Sequence, residues 1–273
     1  MKAALIIADK EIREGLRNRW VAAATFLLAG LALALTFIGS TPTGEVAAGR
    51  LTVTVVSLSS LSIYLLPLIA LLLAFDTIVG EAERGTLLLT LAYPVSRGQV
   101  IVGKFLGHAA IVAFATVFGF GAAAVAIAVA APPSGAEWKA FAGLVGASVL
   151  LGWVFLSIAY VISVAVRERS TAAGIAIVVW LFLVLLYDMG LLGLLVATGG
   201  QGVIGDVTPF LLLANPCDAY RLLMLAGFDA AGSLTGLAVA MEGLNPLSPL
   251  AALVAWTLAP LAVAWGLFKR KEL

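Results

Sequence analysis

Six stretches of mostly apolar side chains, each long enough to cross a lipid bilayer, constrain this chain more than any other feature. A transmembrane helix needs about 20 predominantly apolar residues, and such runs occur at 20–39, 55–78, 101–130, 141–166, 172–196 and 249–268. Charged side chains make up only 11% of the 273 residues, roughly half the fraction usual in soluble domains. The sequence therefore predicts an all-α polytopic membrane protein with six transmembrane helices, and an apolar soluble helical protein is disfavoured.

Residues 1–19 precede the first span and combine charged side chains with a spaced apolar face. Leu5, Ile12, Leu16 and Trp20 fall on about one face of a helix. We therefore predict an amphipathic helix that lies in the membrane interface and leads into the first span. An ordinary solvated N-terminal helix is the alternative.

The positions of the cations predict the orientation of the chain. Lys and Arg collect in short cytoplasmic loops, and thirteen of the 16 cations lie on one side when the N-terminus is placed inside. Both termini are thus expected to be cytoplasmic, and 1–273 forms one membrane domain. In this orientation the loop at 79–100 faces the compartment that holds ATP, and the long segment at 197–248 lies outside. A net charge of +1 gives no reason to expect nucleic-acid binding.

The loop at 79–100 carries the most informative motif. Two glutamates at its start suit the positive end of a helix dipole, and Leu87, Leu88 and Leu91 after them offer apolar contact. We predict a short helix over 80–91 that docks on a soluble ATPase, with a contact set of Glu81, Glu83, Arg84, Gly85, Thr86 and Leu87. The alternative is a loop that only follows the distribution of positive charge, and the two glutamates argue against it.

Residues 98–105 match the spacing of a phosphate-binding GxxxxGK loop but not its chemistry. Phe105 stands where a hydroxyl should reach Mg²⁺, and the loop interior is Val-Ile-Val rather than small residues. We therefore expect no catalytic residue, metal site or cofactor in this chain, and ATP and Mg²⁺ in a partner ATPase. His108 has no Cys, Asp or Glu at ligand spacing. Cys217, Met224 and Met241 could suit Cu(I), but scattered Met and Cys are more often packing residues.

Ionisable residues are nearly absent from the predicted spans, and Asp188 is the conspicuous exception. An acid in hydrocarbon is costly and marks a functional or paired position. We favour pairing of Asp188 with a cation from another helix, and a position lining a cavity is the alternative. Asp76, at the end of the second span, is expected near Arg84 or Lys104.

The segment at 197–248 is longer than most loops and is expected to be functional or separately structured. Asn215-Pro216 marks a turn within it, and Asp218 is expected to cap the helical pattern that follows.

The loop motif resembles that of ABC-2 type permeases. The matching residues are Glu81-x-Glu83-x-Gly85-Thr86, Tyr93-Pro94-x-Ser96-Arg97 and Gly103-Lys104. A narrower resemblance covers 67–108, 150–160 and 213–222 and runs through nearly the whole chain. It is to the membrane subunits of transporters that serve nitrous oxide reductase maturation.

This resemblance implies a type V exporter-like ABC-2 architecture in the bacterial inner membrane. It implies a second copy of the chain, a cytoplasmic ABC ATPase dimer, a periplasmic β-helical maturation protein and membrane lipid as partners. ATP hydrolysis would serve assembly of the reductase's copper–sulfur site, by export of a sulfur species or by mechanical transmission. The resemblance places the periplasmic partner's contact at Asn215, Pro216, Asp218, Tyr220 and Arg221.

Two other functions remain open. An ABC-2 exporter of a hydrophobic drug or lipid fits the same sequence features. An intramembrane enzyme is disfavoured, because no pairing of a nucleophile with a base or of metal ligands is evident in the spans.

Overall fold

The computed structural model describes residues 2–39, 50–130, 133–199, 203–226 and 245–271, and almost all of them are helical. The elements are α1 (Lys2–Leu16), α2 (Arg19–Gly39), α3 (Arg50–Ala74), α4 (Val79–Glu83), α5 (Thr86–Ala92), α6 (Arg97–Ala130), α7 (Gly135–Ala165), α8 (Arg169–Leu181), a π-helical turn (Phe182–Leu186), α9 (Tyr187–Thr198), α10 (Val203–Leu213), α11 (Pro216–Ala226) and α12 (Ser248–Arg270). Part of the predicted outer segment, residues 227–244, lies outside the described residues.

The predicted spans are confirmed. In the described part of the chain, α2, α3, α6, α7, the continuous α8–α9 unit and α12 are each long and apolar enough to cross a membrane. In the most apolar stretch of each helix, the buried share of residues is 67% for α7 but only 17% for α8–α9 and for α12. α7 is therefore the central helix of the bundle, and α8–α9 and α12 present broad apolar faces outward.

The segments predicted to be cytoplasmic meet at one end of the bundle, which we call the basic end. Arg97 Nη1 donates to the carbonyl oxygens of Phe268 and Lys271, both at 2.6 Å. Lys271 Nζ in turn donates to the carbonyls of Val164 and Val166 at 2.9 and 2.8 Å. A side chain at the start of α6 therefore binds the free carbonyl groups at the end of α12, and the side chain of the residue after α12 binds those at the end of α7.

α1 packs along the start of α6 through small side chains rather than through its predicted apolar face. Its buried residues are Ala4, Ala8, Glu11 and Gly15. Leu5 and Leu16 are 59% and 52% exposed. The apolar face thus points away from the protein, where the acyl boundary of a membrane would cover it, as an interfacial helix requires.

Gly103 permits the close approach of α1 to α6. A Cβ atom on Gly103 would lie 2.6 Å from the Ala4 carbonyl oxygen and 2.8 Å from the Ile7 Cβ. We expect Gly103→Ala to push α1 away and to lower the thermal unfolding midpoint, with an overpacking cost of about 1–3 kcal/mol. Gly121→Ala in the same helix meets nothing within 4 Å and is the control. Equal midpoints for the two variants would contradict this prediction.

The residues that mimic a phosphate loop lie inside the first turns of α6. Gly98 packs against Trp265 of α12, where an added Cβ would lie 2.7 Å from the indole Nε1, and Phe105 is buried. These residues therefore form a packed helix start, as their chemistry predicted.

Candidate functional site

A buried charged cluster joins α1, α4, α6 and α7 at the basic end. Lys104 Nζ donates to Glu11 Oε1 at 2.7 Å and to Glu81 Oε1 at 2.8 Å. His108 Nε2 lies 3.7 Å from Glu11 Oε2, and its Nδ1 shares a 2.8 Å hydrogen bond with the Tyr160 hydroxyl. These five residues, which we call the Lys104 cluster, connect the N-terminal helix to the 79–100 loop.

Two carboxylates in this cluster share one ammonium group. The Lys104 side chain is 4% exposed, and those of Glu11 and Glu81 are 9% and 14% exposed. Burial opposes the charge on Glu11, but Lys104 and then His108 outweigh it and lower the pKa of this carboxyl below its ordinary value. Among the described residues, no partner bonds to the buried Glu81 Oε2. The lysine is therefore the one group that compensates both acids.

The 79–100 loop contains two short helices rather than the single helix predicted. α4 and α5 meet at Gly85, whose φ of 71° lies in the left-handed region that favours glycine. At the start of α4, the N–H groups of Ile78 and Val79 donate to Ser163 Oγ of α7 at 2.9 and 3.1 Å. A side chain of the central helix thus holds the beginning of this segment.

The six residues predicted to contact an ATPase differ in whether the structure leaves them exposed. Four of them are exposed: Glu83, Arg84, Gly85 and Thr86. Glu81 turns inward to Lys104, and Leu87 is fully buried in the main core. The predicted apolar contact by Leu87 is therefore wrong, because the break at Gly85 turns this leucine toward the bundle.

Leucines farther along α5 provide the exposed apolar surface. Leu88 and Leu89 are 57% and 67% exposed, and Tyr93 just after the helix is 71% exposed. Leu88 was expected on this surface from the sequence, whereas Leu89 and Tyr93 were missed. Their closeness in sequence to the glutamates could have indicated that they are exposed. The helical pattern alone, however, did not show which face of α5 points away from the bundle.

Asp76 and Glu83 both bind the beginning of α8. The Asp76 carboxylate lies 3.0 Å from Arg169 Nε, and Glu83 Oε1 accepts a hydrogen bond from the Arg169 backbone N–H at 2.6 Å. Arg84 lies close to Asp76 as expected, since a Cβ on Gly80 would lie 3.4 Å from both Arg84 Nη1 and Asp76 Oδ2, but the ion pair is formed with Arg169. The actual partner comes from the next connection at the same end, and sequence distance conceals that proximity.

A second charged group lies toward the opposite end of the bundle. Arg221 Nη1 of α11 lies 2.9 Å from Asp188 Oδ2 of α9 and 2.7 Å from Asp218 Oδ1. The expected pairing of Asp188 with a cation from another helix is therefore confirmed. Asp218 Oδ2 is buried and forms no hydrogen bond within the described chain.

Asn215 caps α11, a role that was predicted for Asp218. Its Oδ1 accepts from the Cys217 N–H at 2.9 Å, while its Nδ2 donates to the carbonyl of Leu183 at 2.8 Å. Leu183 belongs to the π-helical turn, so one amide side chain binds both the start of α11 and the irregular part of the fifth span.

The residues expected to contact a periplasmic partner do not form an exposed surface. Asn215, Pro216, Asp218 and Tyr220 are buried, and Arg221 is half-buried. They are buried because α11 packs against α7 and α12, with further contacts to α3, α10 and the π-helical turn. We therefore correct the prediction that these residues contact a periplasmic partner directly: they pack inside the protein.

Asp218 is expected to make the folded protein less stable as the pH rises. Burial raises the pKa of Asp218 to about 6, although Arg221 opposes the rise and Asp188 adds to it. The folded state therefore binds the proton more tightly than the unfolded state. The stabilisation that this bound proton gives to the folded state is complete below the ordinary pKa of 3.8 and is lost as the pH rises through about 6.

The measurement compares thermal unfolding midpoints at acidic and neutral pH for wild type and Asp218→Asn. The asparagine variant should lose a pH-dependent contribution on the order of 3 kcal/mol. Asp9→Asn, on the exposed side of α1, is the control. An unchanged pH dependence in Asp218→Asn would refute the assignment.

α7 carries hydrogen-bonding side chains to both charged regions. At the basic end, Ser163 holds α4. Farther along, Ser148 Oγ lies 2.9 Å from the Tyr220 hydroxyl of α11 and 3.1 Å from Ser62 Oγ of α3. Ser148 and Ser163 are separated by about 22 Å of helix at 1.5 Å per residue. One buried helix therefore contacts both the 79–100 loop and α11.

Comparison with known proteins matches this architecture. Residues 5–273 match the model of a family described as ABC-2 family transporter protein. The chain belongs to the ABC-2 transporter family. It is similar to the probable ABC transporter permease protein NosY of Pseudomonas aeruginosa, with 48% identity over 272 residues and 98% of both chains covered. The protein of the same name from Stutzerimonas stutzeri is 46% identical over 269 residues, with 97% of both chains covered.

These matches make the chain the membrane permease subunit of an ABC transporter. An ABC permease works with an ATPase, so the family implies such a partner for this chain.

Proposed function

We propose that this permease couples ATP hydrolysis by a separate cytoplasmic ATPase dimer to periplasmic maturation of nitrous oxide reductase. The names of the two NosY relatives and the sequence resemblance support the maturation role. The permease forms a homodimer in the bacterial inner membrane with both termini cytoplasmic. The ATPase binds the basic end, and a periplasmic β-helical protein binds the other.

The ATPase contacts the exposed side of α4–α5. Arg84 and Thr86 supply polar groups, and Leu88, Leu89 and Tyr93 supply apolar area. Glu81 and Leu87 lie behind this surface and transmit its movement to α6 and the main core. Such a mixed surface suits a helix segment lodged in a groove of a partner.

The observation that carries the proposal is the pair of contacts along α7. Ser163 binds α4, and Ser148 binds Tyr220 of α11. A displacement of the 79–100 loop therefore reaches α11 through a rigid helix without requiring a polar path across the membrane. This favours mechanical transmission over export of a sulfur species as the way in which hydrolysis serves copper–sulfur site assembly.

The test is ATP hydrolysis by the purified permease–ATPase complex with and without the periplasmic partner. In wild type, adding the partner should change the rate. Tyr220→Phe removes only the hydroxyl that bonds Ser148, a contact worth about 1 kcal/mol. This variant should keep its basal rate, lose much of the response to the partner, and lower the copper–sulfur content of the reductase in cells.

Tyr64→Phe provides the matched control, because this tyrosine of α3 is 42% exposed. Its complex should respond as wild type does. A wild-type complex that ignores the periplasmic partner would refute the proposed function. A full response in Tyr220→Phe would instead refute transmission through α7.

A further inference from the structure

Two adjoining grooves follow the seam between α7 and α12. The first, of about 590 Å³, has an almost wholly apolar lining and includes Val179 of α8. The second, of about 600 Å³, lies at the basic end and is bordered by α4 and α5. Both grooves are lined by α7 and α12, which run in the same direction through the bundle.

The lining residues place the two grooves one after the other along the same seam. On α7, Ile158, Ile162 and Ala165 are spaced by four and three residues and so share one helix face. The corresponding face of α12 consists of Trp256, Pro260, Val263, Leu267 and Arg270. The two grooves together form one open furrow on the surface of the bundle, apolar along the helices and charged at the basic end.

Cations dominate the charged end of the furrow. Arg167, Arg270 and Lys271 line it together with a single acid, Glu83, which already accepts the backbone N–H of Arg169. The guanidinium groups of Arg167 and Arg270 form no hydrogen bond or ion pair with another described residue. Burial and the nearby charge of Arg167 lower the pKa of Lys271. Among the described residues, no acidic side chain therefore neutralises these two guanidinium groups.

The position of this charge corresponds to the headgroup layer of a membrane. Trp265 of α12 is 43% exposed and lies under the Lys269 ammonium, 3.7 Å from its ring centre, as expected for an aromatic anchor at the membrane interface. Arg270 and Lys271 follow within two turns. From Ala255 to Lys271 the chain rises about 24 Å, close to the roughly 20–22 Å of one leaflet with its headgroups.

We propose that this furrow binds one anionic phospholipid of the inner leaflet. The phosphodiester lies between Arg167 and Arg270, and an acyl chain follows the apolar groove toward Ala255. Basic pockets between transmembrane helices at the cytoplasmic side bind lipid headgroups in this manner. The lipid thereby supplies the negative charge that the ends of α7 and α12 lack.

The succession of an apolar groove and a cationic groove along one seam selects a lipid over other occupants. An acidic segment of the ATPase would match the cations but could not fill the apolar groove between α7 and α12. The apolar face of a second copy would match the apolar groove but would leave the guanidinium groups unpaired. A charged headgroup joined to a hydrocarbon chain matches both parts.

The experiment measures lipid binding to the purified full-length protein in detergent by native mass spectrometry. Dioleoyl phosphatidylglycerol and dioleoyl phosphatidylethanolamine are compared, because they share acyl chains and differ in net charge. Wild type should bind the anionic lipid more tightly. Arg167→Gln with Arg270→Gln should weaken that binding roughly 25-fold, from about fivefold for each cation near the headgroup. Glycerol 3-phosphate, which has the charge without the chains, should not compete.

The second variant tests the apolar part without altering charge. Ala259→Trp fills the apolar groove, and Ala262→Trp on the same helix does not line it; only the first should weaken binding. Arg17→Gln with Arg19→Gln removes two exposed cations of the same end and should leave binding unchanged.

Equal affinity for the two lipids, competition by glycerol 3-phosphate, or equal losses in the control variants would overturn the proposal. So would unchanged lipid binding in the Arg167/Arg270 variant accompanied by loss of ATPase association, which would assign these arginines to the protein partner. If Ala259→Trp binds lipid as wild type does but no longer forms the dimer, the apolar groove would be assigned to contact with a second copy of the chain.

Discussion

Replacing Lys104 with Met is expected to destabilise the protein more than any other single change in the described bundle. It would leave Glu11 and Glu81 buried side by side without their common cation. Removal of one partner from a buried ion pair costs about 3–5 kcal/mol. The expected result is a sharply lower thermal midpoint in detergent and a low yield of folded permease.

A compensated variant separates stability from coupling. Glu11→Gln, Glu81→Gln and Lys104→Met together remove all three charges and should recover much of the lost midpoint. Coupling should remain impaired, because α4 is no longer tied by charge to α1 and α6. Lys139→Met, at an exposed position of α7, is the single-lysine control. A Lys104→Met protein as stable as this control would contradict the burial argument.

Gly85→Pro is expected to have the largest effect on ATPase coupling. Proline fixes φ near −65°, whereas Gly85 has φ of 71°, and its N–H donates to the Ala82 carbonyl at 3.1 Å. The turn between α4 and α5 cannot persist with proline. The permease should still insert, but ATPase binding or its response to the periplasmic partner should fall at least tenfold if as little as 1.4 kcal/mol of contact is lost.

Gly199→Pro is a matched control for this change. Gly199 ends α9 with φ of 64°, and its N–H donates to the Val196 carbonyl at 3.4 Å. The same backbone disruption is thus introduced far from the 79–100 loop. Equal loss of ATPase binding in both variants would show that general instability, not the coupling surface, is responsible.

The sequence predicted well the features that depend on hydrophobicity along the chain. The six spans and the need of Asp188 for a cation follow from the cost of placing a group in hydrocarbon, and the nucleotide loop is rejected because Phe105 lacks the hydroxyl that such a loop requires. These rules use one residue and its immediate neighbours. They therefore need no knowledge of how the helices pack.

Features that depend on packing between distant residues could not be obtained in the same way. The inward direction of Glu81 and Leu87 depends on a break at Gly85, and the burial of α11 depends on its neighbours. The contact of α1 with α6 did leave a signal in the sequence. Small residues at Ala4 and Ala8 match the spacing of Gly103 and Gly107, a pattern common where helices approach closely in membranes.

The π-helical turn at Phe182–Leu186 has a further consequence for the fifth span. Such a turn accommodates one more residue than an α-helix does between successive hydrogen bonds. It therefore shifts the angular position of every side chain that follows by about 100°. Asp188 comes two residues after this turn and meets Arg221 at 2.9 Å. A homologous span one residue shorter at this point would aim its acid at a different neighbour, so the local helix geometry sets the charge pairing of the outer half.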